Sequence, residues 1–542
     1  MTPLTSPQTG QPPAARVAFV GAGPGDPGLM TVRCRELLAA ADIVVLDQVG
    51  RHAVVEAFAR PGVQIIDAGH DHDQPDLAVL RTAKLIVNAA RGLGEQGLVV
   101  RLMDGDPALF HGVADEALEL ARAGVPFEVV PGVSAVTAAA MYAGIPLTTA
   151  ATTAVHVVDA SCSGQDWAGL SDGSSTVVVL GPPPRLGEAL GALRQAGREG
   201  STSVALVEAG TTTSQQTRTT TLDKAPAVLA ADGLAFPVLA VVGPSVDLRD
   251  QLSWFETKPL YGWRVLVPRT KEQSGATTER LTAYGARPTV VPTISVEPPR
   301  TPAQMERAVK GLVTGRYAWV GFTSVNAVRA VREKVEEFGL DARIFAGVGI
   351  AAVGGVTAAA LREWGLNPDL VPCGEQSAAG MLLDWPEVDD SEDACNRVFL
   401  PRADIATDTL VAGLTEMGWE VDDVMAYRTV RAAPPPAPIR EAIKSGAFDA
   451  VLFTSSSTVR NLVGIAGKPH AHTLVACIGP QTAKTAEEHG LRVDVLAATP
   501  SALELVDALA AHGTARAAAA AEAGLPVRRP SQRRHASRRR AR

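Results

Sequence analysis

The second half of this chain repeats itself, and the repeat limits the possible folds more than any other feature. "RVLVPR" (Arg264–Arg269) returns as "RVFLPR" (Arg397–Arg402), and "LTAYG" (Leu281–Gly285) as "LTEMG" (Leu414–Gly418), each 133 residues later. "FTSVNAVR" (Phe322–Arg329) returns as "FTSSSTVR" (Phe453–Arg460) after 131 residues, and "GGVTA" (Gly354–Ala358) as "GPQTA" (Gly479–Ala483) after 125. The order is kept and the spacing is nearly constant. That period is too long for a solenoid unit and suits a duplicated α/β lobe. Two similar lobes leave a cleft between them, a usual place for a ligand.

Short apolar runs alternate with Ala/Leu/Arg-rich helical patterns along the whole chain. Examples are "VAFVGAG", "ADIVVLD", "GLVVRLMDGD", "STVVVLG", "TSVALVEAG", "WRVLVPR", "RVFLPR" and "DAVLFTSSS". Such alternation predicts an α/β fold. The pattern changes near "LSWFETKPLYGWRVLVPR": Trp254 and Phe255 close one apolar pattern, Lys258–Gly262 has linker character, and a fresh strand begins at Trp263. A domain boundary is therefore expected there. The Pro/Thr/Gln-rich residues 1–15 read as a disordered leader, and residues 511–542 as a disordered basic tail.

Charge and cysteine usage remove several function classes. The formal charge is −8, yet "VRRPSQRRHASRRRAR" alone carries eight Arg and no acid, which leaves the rest near −16. Such a body is a poor fit to a nucleic-acid binder. No apolar run reaches membrane-spanning length without a charge or a Gly/Pro break. Cys34, Cys162, Cys373, Cys395 and Cys477 are scattered with no CxxC, which points to a reducing cytoplasm and away from a structural zinc site.

"VAFVGAGPGDPGLMT" (Val17–Thr31) runs from a strand into a glycine-rich turn. A dinucleotide fingerprint needs glycines at relative positions 1, 3 and 6. Gly21 and Gly23 meet the first two, but the sixth position is Asp26, and Gly25 comes one place early. Asp47 ends the next strand, where a ribose-binding acid would sit. The fingerprint is nearly met and then fails, so the bare turn needs another explanation.

"GAGPGDPGLMT", "ADIVVLD", "RLMDGDPALF", "VVPGVSA", "YAGIPLT" and "ALVEAGTTTSQQ", in this order, resemble the tetrapyrrole methylase family over about 16–255, its uroporphyrinogen-III C-methyltransferase branch above all. The repeat half resembles the uroporphyrinogen-III synthase family over about 262–510, through the paired FTS segments and "AYRTV". The expected fold is α/β: a two-lobed tetrapyrrole methylase domain (16–257), a linker (258–262), then a two-lobed, duplicated, flavodoxin-like synthase domain (263–510). Family topology implies lobes of 263–292 with 428–510, and of 297–423.

The resemblance implies S-adenosylmethionine as methyl donor, held between two α/β lobes. It assigns donor contacts to Pro24, Gly105, Asp106, Leu109, Ser134, Ala135, Leu180 and Gly210, and an acid/base role to Asp47. A carboxylate there can stabilise charge developing on the pyrrole and help remove its proton. Leu180 stands where the family usually has methionine. The family's Gly-Lys-Arg segment is replaced by "IIDAGHDHDQPD", with Asp67, His70, Asp71, His72 and Asp73 and no Lys or Arg. That loose cluster reads as a solvated loop, so no metal site is expected.

In the second half the resemblance implies closure of hydroxymethylbilane with inversion of its last ring, and a role for Tyr427 at the departing hydroxyl. A phenol can donate a hydrogen bond there without carrying charge. An "FTS" at a strand end that opens a helix presents hydroxyls and free N–H groups, a ready carboxylate site. Thr323, Ser324, Thr454 and Ser455 are the candidates, with Thr357 and Thr482 from "GGVTA" and "GPQTA". The expected partners are the small tetrapyrroles hydroxymethylbilane and uroporphyrinogen III, not nucleic acid or membrane, and a homodimer through the methylase half stays open. Also open is an active synthase whose methylase-like half serves only for binding or docking, or methylates another tetrapyrrole intermediate.

Overall fold

Strands buried on both faces must be apolar almost throughout, and the runs picked out above behave that way apart from Arg101 in β4. The computed structural model describes residues 15–533 apart from 48–51, 70–74, 111, 163, 232–237, 390, 392–394 and 405–407. His70, Asp71, His72 and Asp73, the leader up to residue 14 and the last nine residues lie outside the described residues. The chain divides into two compact units that part between Trp263 and Arg264, the first also taking in Leu281–Arg287 and Gly513–Leu525.

The first unit holds two five-stranded sheets. One is wholly parallel, in the order β3-β2-β4-β1-β5, from β1 (Arg16–Gly21), β2 (Ile43–Leu46), β3 (Gln64–Asp67), β4 (Leu98–Met103) and β5 (Phe127–Val130). Leu37 and Leu38 of helix Val32–Ala40 cover one face, and Ile86 and Ala90 of helix Pro75–Leu93 the other. The second sheet runs β6-β7-β10-β8-β9, from β6 (Val155–Asp159), β7 (Thr176–Gly181), β8 (Ser203–Glu208), β9 (Gln216–Thr221) and β10 (Val238–Val242). Only its β6–β7 pair is parallel.

The second unit also holds two sheets. The first is ordered β12-β11-β18-β19-β20, from β11 (Arg264–Val267), β12 (Arg287–Val290), β18 (Ala450–Phe453), β19 (Leu474–Cys477) and β20 (Val493–Leu496). The other is ordered β13-β17-β16-β14-β15, from β13 (Ile294–Glu297), β14 (Trp319–Phe322), β15 (Gly349–Ala352), β16 (Arg397–Ala403) and β17 (Glu420–Arg431). Numbered along the chain, the first sheet has the flavodoxin-like order 2-1-3-4-5. The second has the same order with its first two strands supplied late: β17, β16, β14, β15, and then a parallel bridge from Ala351 to Leu370 in the fifth position.

The sequence repeats are therefore not the lobes. The first repeat supplies strands one and two of one sheet (β11, β12) and strands three and four of the other (β14, β15). The second repeat does the converse. Each sheet combines the opening of one repeat with the close of the other. The crossing points are the short link between β12 and β13 and the exit from β17, where β13 and β17 pair antiparallel, Ile294 opposite Arg431 and Glu297 opposite Arg428.

Residues 511–522 need a correction. They were expected in a disordered tail, yet helix Ala502–Glu522 runs through them. Near its end it holds the alanine run Ala517–Ala521, alanine being the strongest helix former. It ends where Gly524 takes a positive φ and Leu525 N–H reaches back to the Ala520 carbonyl at 2.8 Å.

Strand exchange predicts what can fold alone. Residues 292–434 contain every strand of one lobe and should melt cooperatively by circular dichroism. Residues 263–396 contain one complete repeat but lack β18 and β16, the neighbours on one side of β11 and β14, so neither sheet is complete and no cooperative transition should appear. A cooperative melt of 263–396 would contradict the exchanged topology.

Candidate active sites

In the parallel sheet of the first unit the signature motifs fall at the C-terminal strand ends: Asp47 after β2, "DGDP" after β4, "GPGDP" after β1 and "PGVSA" after β5. Three glycines hold these ends together. A methyl group on Gly21 would sit 2.6 Å from the Gly105 carbonyl oxygen and 2.6 Å from the Gly132 Cα, and one on Gly132 would sit 2.0 Å from that same oxygen. Gly23 and Gly105 exchange backbone hydrogen bonds at 3.3 and 3.0 Å. The bare backbone thus serves the approach of three chain segments. Pro24 lies in the turn between Gly23 and Gly25, both at positive φ.

The donor candidates gather around this knot. Ser134 caps helix Ala135–Tyr142, its hydroxyl accepting from Val136 N–H at 3.2 Å. A methyl group on Gly105 would lie 3.4 Å from the Ala135 nitrogen. The Asp106 carboxylate accepts from Ala108 N–H at 2.9 Å and shapes the loop that carries Leu109. Leu109 and Leu180 pack, half-buried, against one apolar cluster that includes Val136 and Ala139. A methyl group on Gly210 would meet the Ala139 Cβ at 2.4 Å.

Asp47 does not stand alone. Arg101, in the middle of β4 and 2% exposed, sets Nη2 2.8 Å from both Asp47 carboxylate oxygens. Its Nε lies 3.0 Å from Glu116, whose side chain is as deeply buried. Burial works against the Arg101 charge, but Glu116 and Asp47 hold its pKa above the ordinary value. Burial pushes the Glu116 carboxyl up while Arg101 pulls it down. The triad carries one net negative charge, and its outer member, Asp47, keeps 30% of its side chain exposed. Asp47 is thus an oriented, solvent-reachable carboxylate.

A second missed group ties the glycine turn to the other lobe of this unit. Asp26 N–H donates to Thr211 Oγ1 at 3.1 Å, and the Asp26 carboxylate accepts from Tyr142 OH at 2.9 Å and from Gly28 N–H at 2.8 Å. Burial, then the Asp26 carboxylate, pushes the Tyr142 phenol up. Among the described residues, the non-glycines at positive φ are Phe110, Ala209 and Thr211. They flank the loops of Leu109 and Gly210. Such backbone costs about 1–3 kcal/mol per residue and collects at functional sites.

In the second unit Tyr427 lies on β17, 7% exposed, with its phenol oxygen 2.9 Å from Ser324 Oγ. Ser324 Oγ also accepts from Ala327 N–H at 3.1 Å, capping helix Val325–Glu337. Ser455 caps helix Ser456–Ala466 in a capping box with Thr458. Both serines are thus engaged locally. The hydroxyls of Thr323 and Thr454, half-buried at the ends of β14 and β18, make no hydrogen bond among the described residues. Thr357 and Thr482 are 5% exposed, inside helices Gly355–Glu363 and Pro480–Glu488.

These are two α/β units in which Asp47, Thr323 and Thr454 stand at strand ends while Tyr427 lies within β17, the build of small-molecule enzymes. Residues 16–226 match the tetrapyrrole (corrin/porphyrin) methylases, and residues 275–507 match uroporphyrinogen-III synthase HemD. The chain is 32% identical over 486 residues to the porphyrin biosynthesis protein HemD of Ruminiclostridium josui, across 88% of this chain and 94% of that one. It is 36% identical over 254 residues to siroheme synthase of Methylococcus capsulatus, across 46% of this chain and 53% of that protein, so it matches about half the length of that relative. Uroporphyrin III C-methyltransferase of Thermus thermophilus is similar at 30% identity and a TM-score of 0.37, over 43% of this chain and 99% of that one. The chain belongs to the porphyrin-biosynthesis family in which a tetrapyrrole methylase precedes a uroporphyrinogen-III synthase. It is a bifunctional enzyme, a methyltransferase and a lyase. No described helix is long and apolar enough to cross a membrane.

The buried triad makes a pH-dependent prediction. Arg101→Leu leaves Glu116 buried without its cation and should cost about 3–5 kcal/mol at neutral pH. Glu116 would then hold its proton more tightly folded than unfolded, so the loss should shrink as pH falls below the ordinary carboxylate range and grow as pH rises. Urea melts at several pH values check this, and a pH-independent loss would contradict the charge assignment.

Proposed function

We propose that the methylase unit transfers methyl groups from S-adenosylmethionine to uroporphyrinogen III, toward precorrin-2, and that the synthase unit makes that uroporphyrinogen III from hydroxymethylbilane with inversion of ring D. The observation that carries the first part is the gathering of Asp47, Gly105, Asp106, Ser134 and Ala135 at one sheet edge, the usual ligand site of parallel α/β sheets. Leu109, Leu180 and Gly210 extend that edge toward the second sheet, and Pro24 borders it. When bound, the donor supplies an electrophilic methyl group. Asp47, oriented by Arg101, stabilises the positive charge that builds on the pyrrole and takes the proton its carbon loses. Positioning of the two reactants supplies much of the acceleration.

In the synthase unit the task is to hold a flexible polycarboxylate in one fold while a hydroxyl leaves and a ring closes. Thr323 and Thr454 offer free hydroxyls at helix N-termini for substrate carboxylates. Tyr427, held by Ser324, presents its phenol to the departing hydroxyl. Ser455, Thr357 and Thr482 shape the same strand ends from capped or buried positions.

Asp47→Asn should lower methyl-transfer kcat by about 10²–10³-fold, as for other electrostatic stabilisers, and leave S-adenosylhomocysteine affinity within a few-fold by calorimetry. Unchanged turnover would remove Asp47 from the chemistry. The absence of Lys and Arg from Ile65–Asp76 favours the second reading, a methylase-like half that only binds. Donor-analogue binding with no methyl transfer by the parent enzyme would select it.

A further inference from the structure

The two arginines that close the repeated "RVLVPR" and "RVFLPR" have different fates. Arg402, the last but one residue of β16, is 13% exposed in its side chain and paired with both Asp423 and Asp408. Those carboxylates, Asp423 first, hold it above its ordinary pKa, burial working against them. Arg269, its counterpart after β11, is partly buried and has no side-chain hydrogen bond or ion pair among the described residues. Burial alone pulls its pKa down. A guanidinium held partly out of water without a counter-charge is costly and needs a reason.

Its place supplies one. β11 and β18 pair in parallel, Val265 with Ala450 and Leu266 with Val451. Arg269 and Thr454 each follow the end of one of these two paired strands, the chain turning at Arg269, whose N–H returns to the Val267 carbonyl at 2.9 Å, and the Thr454 hydroxyl likewise makes no hydrogen bond among the described residues. In a 2-1-3-4-5 sheet the boundary between β11 and β18 is the topological switch point, where ligands bind beyond the strand ends. On the next strand, β19, helix Pro480–Glu488 opens at Gly479, where a methyl group would meet nothing within 4 Å. The matching helix of the other lobe is closed, since Gln376 Oε1 accepts from Gly355 N–H at 3.0 Å.

The geometry points to Arg269 as a substrate-binding residue of the synthase, gripping a carboxylate of the linear tetrapyrrole with Thr454 beside it, while its repeat-equivalent Arg402 serves only the fold. This rests on the synthase reading above. Guanidinium and carboxylate match as a two-pronged pair, so lysine should replace arginine only in part. The free arginine also makes the two lobes unequal, so that an asymmetric linear substrate is seated in one direction.

The test uses the full chain with hydroxymethylbilane as substrate and isomer analysis of the product. Arg269→Gln should raise KM roughly 10–150-fold, the range for losing a charge-assisted hydrogen bond, with a smaller change in kcat and more type I product from bilane that escapes. Its melting temperature should be unchanged or higher, because no protein partner is lost. Arg269→Lys should recover part of the KM. Arg402→Gln should do the reverse, lowering the melting temperature with a near-normal KM in the folded fraction. Wild-type chain that makes uroporphyrinogen III, with an Arg269→Gln variant of unchanged KM, would overturn the assignment of Arg269 alone. Folded wild-type chain that makes no uroporphyrinogen III would overturn the synthase reading, and this inference with it.

Discussion

A parallel sheet covered on both faces leaves only its strand ends free to carry chemistry, and that constraint organises this enzyme. β1, β2 and β4 are apolar almost throughout because helices press on both sides. Polar groups placed inside such strands would need buried partners, so the functional residues collect where the strands stop. The same holds for β11, β14 and β18 in the second unit. The glycines at the ends of β1, β4 and β5 follow from it. Three strand ends can meet at one edge only if their backbones come closer than a Cβ allows.

Arg101, like Tyr427 within β17, departs from this rule and shows what it takes to do so. It sits mid-strand and buried, and it is balanced by Glu116 on one side and Asp47 on the other. The charge inside the sheet is tolerated because it reaches out and fixes a carboxylate at the edge. Asp26 does comparable work between lobes of the first unit, joining the glycine turn to Tyr142 and Thr211.

Much of the fold was legible in the chain. "VAFVGAG", "ADIVVLD", "STVVVLG" and "DAVLFTSSS" became β1, β2, β7 and β18, because continuous apolar runs bounded by glycine or polar residues have few other fates. The repeat announced the duplication. It could not announce the strand exchange, because closed and exchanged arrangements share every local pattern and differ only in which strands pair. The stretch after Gly513 reads as a tail beside the arginine-rich run, but its alanines carry helix Ala502–Glu522 through it. Asp47, Gly105, Thr323 and Thr454 fall just past strand ends, Tyr427 lies within β17, and Thr357 and Thr482 lie inside helices, whereas Arg101 and Tyr142 carried no motif that marked them. One signal for Arg101 was present: a lone cation inside "LVVRLM" demands a buried partner. Nothing in the sequence showed that Arg269 and Arg402, in near-identical hexapeptides, would differ, since the difference lies in Asp408 and Asp423 brought up by tertiary structure.

One chain runs two consecutive steps, one in each of its two α/β units. The most direct measurement supplies the full chain with hydroxymethylbilane and S-adenosylmethionine together and follows the products by chromatography and mass. The account predicts that uroporphyrinogen III forms and is then consumed into methylated product, and that omitting S-adenosylmethionine leaves uroporphyrinogen III as the end product. Type I isomer alone, or uroporphyrinogen III that accumulates unmethylated with donor present, would contradict it.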